Sequence, residues 1–155
     1  MREKALHPFD LKTIVFAKHA QHVVLIHFPI ALFIAGVAFD FLAEWRKQRL
    51  LSAAAYSNFL GAALTTIPVL ITGILAWQWQ LEGQRLKGIL LMHLVAGCVS
   101  SALIWVIWFM HRRRQREDGG SLPTYRLPVE AVAVAVVVLT GHLGGFLSGV
   151  NGPGR

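Results

Sequence analysis

Four stretches of this chain, residues 23–42, 53–79, 89–109 and 129–150, carry almost no charge. Each is about 20 residues long or more, the length a helix needs to cross the hydrocarbon layer of a membrane. A chain of 155 residues has too little other material to bury four such segments in water. Inside a bilayer every backbone N–H and C=O must be satisfied within its own span, which selects helices and excludes open sheet. The expected fold is therefore all-α, an integral membrane four-helix bundle over residues 22–152. An N-terminal arm, residues 1–21, precedes it. There Leu11, Ile14, Val15 and Phe16 mix with Lys12, Lys18 and His19, as in a short interfacial helix.

The charge that remains is informative by its placement. Charged residues are 15% of the chain, against about 25% in soluble domains, and the formal net charge is +7. A nucleic-acid partner is excluded, because no basic face is interleaved with stacking aromatics. Instead Arg46, Lys47 and Arg49 sit between spans one and two, and Arg112, Arg113, Arg114, Arg116 and Arg126 between spans three and four. The link between spans two and three holds only Arg85 and Lys87. Arg2, Lys4, Lys12 and Lys18 of the N-terminal arm run against the trend, but the short links make the tighter comparison. By them the positive-inside rule puts the arginine-rich links in the cytoplasm and both termini outside, in the periplasm of a bacterial inner membrane. The first 20 residues are polar and the first apolar run is a full span, so no cleavable signal peptide is expected.

The five tryptophans fit that frame as interfacial anchors: Trp77 and Trp79 outside, Trp45, Trp105 and Trp108 inside. The lone cysteine, Cys98, lies in span three without an internal partner. Pro29 and Pro68 deprive the carbonyls of Leu25 and Leu64 of their helical donors, so a kink near Pro29 would re-aim His27. Glu117–Pro128, with its glycines and prolines, reads as a loop. Thr65, Thr66 and Thr72 should bond back to their own helix or bridge to another.

Histidines supply the chemistry. His27 lies about 6 Å inside the outer end of span one, His93 about 6 Å inside that of span three, and His142 about 9–12 Å inside that of span four. Three imidazoles from three helices thus share one layer. His22 sits one to two turns further out, with His19 beyond it. Imidazole layers in bundle cores suit metal ligation, above all haem iron held axially by two histidines. Gly141, Gly145 and Gly149 recur every four residues beside Gly144, leaving a bare stripe on the helix that carries His142. Such a stripe admits a neighbouring helix, a second copy of the chain, or a flat macrocycle. His7 and His111 are expected among solvent or headgroups. Asp40, near the inner end of span one, is expected to bond a neighbouring helix, to reach the interface beside Arg46, or to act as a proton site.

These residues resemble the DUF2231 family of bacterial membrane proteins. The likeness rests on His27-Phe28-Pro29-Ile30-Ala31-Leu32, Asp40, Ile71-Thr72-Gly73-Ile74-Leu75, His93 and Gly141-His142-Leu143-Gly144-Gly145, and it covers about residues 22–152. The family resemblance implies a four-helix membrane domain with no settled activity. Fusions of some members to Rieske or c-type cytochrome domains imply a place in electron transfer at the outer face. This sequence holds no Cys-x-x-Cys-His and no second cysteine, so a redox centre here must be ligated by histidine or sit on a partner.

The sequence reading is thus a membrane-embedded b-type haem protein that passes electrons between quinol or a cytochrome c and another redox subunit. Its ligands are His27, His93 and His142, with His22 completing a second pair and Gly141 and Gly145 lining the cofactor. Two alternatives stay open: a structural accessory subunit whose histidines and glycines pack helices, and a copper or zinc protein using His19, His22 and His27. No nucleophile–base pair is visible, so the chain is not an enzyme by itself but fits a subunit of an oxidoreductase complex.

Overall fold

The computed structural model describes residues 20–80, 83, 85–116 and 123–148. Five helices run in order: α1 (Ala20–Leu25), α2 (His27–Arg46), α3 (Arg49–Gln80), α4 (Gly88–Arg116) and α5 (Arg126–Leu147). Four stretches are long and apolar enough to span a membrane: Gln21–Arg46, which joins α1 to α2, then Arg49–Gln78, Gly88–Arg113 and Arg126–Leu147. The all-α four-span bundle expected from the sequence is therefore present, and no strand occurs among the described residues. Of the N-terminal arm, residues 1–19 lie outside the described residues; Ala20 opens α1, and Gln21 already belongs to the first span.

Between α1 and α2 the helix is interrupted at Ile26, three residues before Pro29. This is where a missing proline N–H takes effect, since the ring deprives a carbonyl one turn earlier. Pro68 is accommodated inside α3 without a break. Nearby, the Thr72 hydroxyl donates to the Pro68 carbonyl at 2.8 Å and Thr65 to that of Gly61 at 2.8 Å, the back-bonding expected of these threonines.

The link from α2 to α3 is only Lys47 and Gln48. Lys47 adopts φ 51°, ψ 38°, and its N–H donates to the Ala43 carbonyl, closing the helix. A non-glycine residue in this left-handed region is uncommon, and the tight reversal lays α3 antiparallel on α2. Their contact is the most extensive in the bundle. Gly36 and Gly61 mark close approach: a Cβ on Gly36 would lie 2.7 Å from the Phe59 ring, and one on Gly61 3.2 Å from Leu32.

The core is built from Phe33, Phe59, Ala55, Ala62, Ala63, Ile104, Ile107, Trp108, Ala133 and Val137. Its many alanines let backbones come close, which is how helices associate where lipid removes the hydrophobic drive. The remaining apolar side chains, among them Phe28, Ile34, Phe41, Ile67, Ile71, Val95 and Val138, are exposed around the bundle. An apolar surface this extensive is a lipid-contact surface.

Two expectations need correction. Trp105 and Trp108 are not simple headgroup anchors. Trp108 is buried, and the Trp105 indole N–H donates to Thr66 Oγ1 on α3 at 3.1 Å. The Thr66 hydroxyl spends its own hydrogen on the Ala63 carbonyl, so it is free to accept. Trp45 is exposed at the end of α2 as an anchor would be, and the Trp79 side chain lies outside the described residues. The second correction concerns the loop ending at Pro128. Helix α5 begins at Arg126, and Pro128 sits in its first turn, where its missing N–H would have had no helical partner.

Steric closeness at Gly36 gives a testable outcome. Gly36→Ala must displace the fully buried Phe59 ring and should cost about 1–3 kcal/mol of stability. Gly97→Ala, whose Cβ would find its nearest neighbour at 3.9 Å, should be near neutral. Thermal unfolding of the two variants in detergent checks the contrast.

Candidate functional site

Two polar levels occupy opposite ends of the bundle. Because the spans are antiparallel, the start of α2 lies with the ends of α3 and α5 and the start of α4, and these turns carry the sequence-expected histidines.

At this histidine end, His22 of α1 packs on Gly73 of α3, where a Cβ would come within 3.1 Å of its ring. Its Nδ1 lies 3.1 Å from Thr72 Oγ1. The Thr72 hydrogen points to carbonyls of its own helix, so the imidazole Nδ1–H is the donor. His93 of α4 repeats the arrangement on α5. Its ring fills the notch at Gly144, and its Nδ1–H donates to the Thr140 carbonyl at 3.1 Å. Thr140 also accepts from Ser100 at 2.9 Å, fastening α4 to α5. His27 is exposed, with Nδ1–H donating to the Val23 carbonyl at 2.7 Å. His142 is exposed and meets the Phe146 ring edge-on, centroids 4.9 Å apart. Ile30, one turn beyond His27, lies 3.9 Å from where a Gly141 Cβ would stand, so the turns carrying His27 and His142 are side by side. His19 and Gly149 lie outside the described residues.

The structure thus separates the expected ligands into two packed imidazoles, His22 and His93, and two exposed ones, His27 and His142. In His22, His27 and His93, donation through Nδ1 leaves Nε2 as the nitrogen bearing the lone pair. An acceptor bonded to one ring nitrogen is the arrangement that fixes a histidine for metal ligation through the other. The glycine stripe is partly consumed by packing: His93 fills Gly144, and Ile30 touches Gly141.

The arginine end holds what the sequence reading missed. Asp40 of α2 is fully buried, and Arg126 of α5 donates from Nε to its Oδ2 at 2.8 Å. The same guanidinium donates from Nη2 to Glu44 Oε2 at 2.7 Å, and Glu44 also pairs with Lys47. One turn further along α5, buried Glu130 lies 3.0 Å from His111 Nε2 of α4. The His111 ring packs on Phe59 of α3 with centroids 4.7 Å apart, and Phe59 packs on Phe33 of α2. Every span therefore contributes. Asp40 Oδ1 and Glu130 Oε2 are buried with no hydrogen-bond partner. A cleft of about 220 Å³, lined by Asp40, Ala43, Glu44, Lys47, Gln48, Arg49, Ser52 and Arg126, opens beside this centre.

Asp40 bonds a neighbouring helix, as one of its expected roles required. His111 corrects the expectation of a solvent or headgroup residue, and Arg126 that of a charge on a loop facing headgroups. A sequence signal existed: Asp40 and Glu44 are four apart near the end of span one, as are Arg126 and Glu130 at the start of span four. Spacing of four puts both members of each pair on one helical face. The facing helices then place opposite charges at one depth.

Removing Arg126 leaves Asp40 uncompensated, and breaking a buried pair on one side costs about 3–5 kcal/mol. Arg126→Gln should lose stability on that scale. Asp40→Asn combined with Arg126→Gln should lose less than the two single changes added together. A double-mutant cycle read by denaturation in detergent tests this coupling.

Among known proteins, the family described as "Predicted membrane protein (DUF2231)" matches residues 18–153. No curated protein and no solved structure matches the chain.

Proposed function

This chain belongs to DUF2231, a family of predicted membrane proteins, and on that footing we propose that it is a membrane-embedded electron-transfer subunit carrying a b-type haem at its histidine end. The observation that carries the reading is His27. It is exposed on the span surface, and its Nδ1–H is tied to the Val23 carbonyl, so that Nε2 bears the lone pair. His142 is exposed on the neighbouring turn of α5. Haem would then lie against the α2–α5 surface, because the rings of His22 and His93 already fill the notches at Gly73 and Gly144. His27 and His142 would hold it, with His93 and His22 as further nitrogen donors. Haem would supply the electron chemistry, while the protein sets orientation and potential.

In this reading the histidine end faces the periplasm of a bacterial inner membrane, where a quinol, a cytochrome c or another redox subunit exchanges electrons. Arg126, now buried and paired, drops out of the headgroup tally. The remaining cationic residues of the two arginine-rich links still outnumber Arg85 and Lys87 and support that orientation. Half-buried Gly145 of the same stripe would offer a surface for a homodimer.

A second reading has its own observation. His22 and His93 are spent on hydrogen bonds and glycine contacts, as in an accessory subunit whose histidines pack helices. A dithionite-reduced minus air-oxidised spectrum of protein made with ample haem separates the two. The haem reading predicts a sharp reduced α-band that His27→Ala or His142→Ala abolishes while the protein stays folded. A flat spectrum without bound metal contradicts it and favours the accessory role. Copper or zinc without porphyrin, lost on His22→Ala or His27→Ala, would assign the histidine end to metal binding instead.

A further inference from the structure

The arginine end contains a donor set that the haem reading does not use. Asp40, His111 and Glu130 each offer one ligand atom, and these atoms lie within 4.8 Å of one another. No other group of three histidine, cysteine or carboxylate donors converges this way among the described residues. The three side chains come from α2, α4 and α5 and are 0%, 3% and 1% exposed.

We propose that Asp40, His111 and Glu130 bind one divalent transition-metal ion of the zinc class. Three features favour it. First, the unpartnered oxygens belong to these residues: Arg126 occupies Asp40 Oδ2 and His111 faces Glu130 Oε1, leaving Asp40 Oδ1 and Glu130 Oε2. A buried carboxylate oxygen with neither donor nor cation is expensive, and a metal ion is a partner that both can share. Second, the charge of the centre favours a cation. Asp40, Glu44 and Glu130 against Arg126 and Lys47, which pairs with Glu44, leave a net negative charge when His111 is neutral. Third, the donors come from three different spans and are already gathered, one atom from each lying within 4.8 Å of the others. A nitrogen and two carboxylates suit zinc, iron or manganese better than magnesium or calcium, which take oxygen alone.

In this arrangement Arg126 orients Asp40 by donating to Oδ2 and leaves Oδ1 for the ion. For Nε2 of neutral His111 to reach the ion, its ring proton must sit on Nδ1 rather than toward Glu130. Asp40 lines both the ligand group and the cleft at the α2–α3 turn, which gives an entry path from that side. The site is independent of the haem reading and stands or falls without it.

The test uses the full chain, purified in detergent from cells grown without added haem, stripped with chelator and titrated with Zn²⁺, or with Co²⁺ as a visible probe. The expected result is about one equivalent per chain. Asp40→Asn, Glu130→Gln and His111→Gln should each weaken affinity at least about tenfold, while Glu44→Gln keeps the stoichiometry. If a variant fails to fold, X-ray absorption of the zinc-loaded wild type decides. A nitrogen and oxygen shell at about 2.0–2.2 Å with imidazole scattering supports the site; a sulfur ligand from Cys98 overturns it. Absence of metal uptake by the wild type overturns it as well. So does metal that survives Asp40→Asn and Glu130→Gln but is lost on His22→Gln or His27→Gln, since the ion would then belong to the histidine end.

Discussion

A guanidinium inside a membrane bundle is tolerable only when it is fully paired, because a charged side chain at that depth costs several kcal/mol. Arg126 meets this condition by dividing its donors between Asp40 and Glu44, which fixes the start of the last span against the end of the first. From that tie the other contacts follow in sequence. Glu130, one turn on, meets His111 of α4; His111 lies on Phe59 of α3; Phe59 packs on Phe33 and against Gly36 of α2. The circuit passes through all four spans and returns to the helix where it began. Lipid-facing apolar side chains cannot specify such an arrangement, since exchanging lipid for a neighbouring helix changes little for them.

The two ends of the bundle use different chemistry for the same purpose. At the arginine end, ionic groups are buried together and leave two oxygens unpartnered. At the histidine end, imidazoles bond to a hydroxyl or to a backbone carbonyl and rest in glycine notches, so the packing is closed by short polar contacts. Ser100, Thr140, Thr66 and Trp105 join the helices between the two levels. This contrast separates the functional readings. A cofactor at the histidine end would sit on the surface beside His27 and His142, whereas an ion at the arginine end would lie inside.

Hydropathy made the spans legible, because each needs about 20 apolar residues and few charges, a signal that survives without tertiary information. The break near Pro29 and the back-bonding of Thr65, Thr66 and Thr72 were equally local and equally readable. The polar centre was not, because it is assembled from four helices and each member looks ordinary alone. Arg126 resembled one more cation on a basic link, and His111, next to Arg112, resembled a headgroup residue. Glu130 passed unnoticed within an apolar run. Only the matched spacing of Asp40 with Glu44 and of Arg126 with Glu130 hinted at facing charges. Trp105 and Trp108 misled for a related reason: their position near a helix end suits an anchor, and only the neighbouring helix reveals that one is buried and the other bonded to Thr66.

The most direct measurement of the central tie is hydrogen exchange at arginine side chains, followed by NMR on ¹⁵N-labelled protein in a lipid nanodisc. The Arg126 Nε–H is predicted to exchange far more slowly than those of Arg46, Arg49, Arg112 and Arg113. That protection should disappear in Asp40→Asn while the backbone amide spectrum of the spans is retained. An Arg126 Nε–H that exchanges as fast as those on the links would contradict a buried Arg126–Asp40 bond, and with it the contact circuit that joins the four helices.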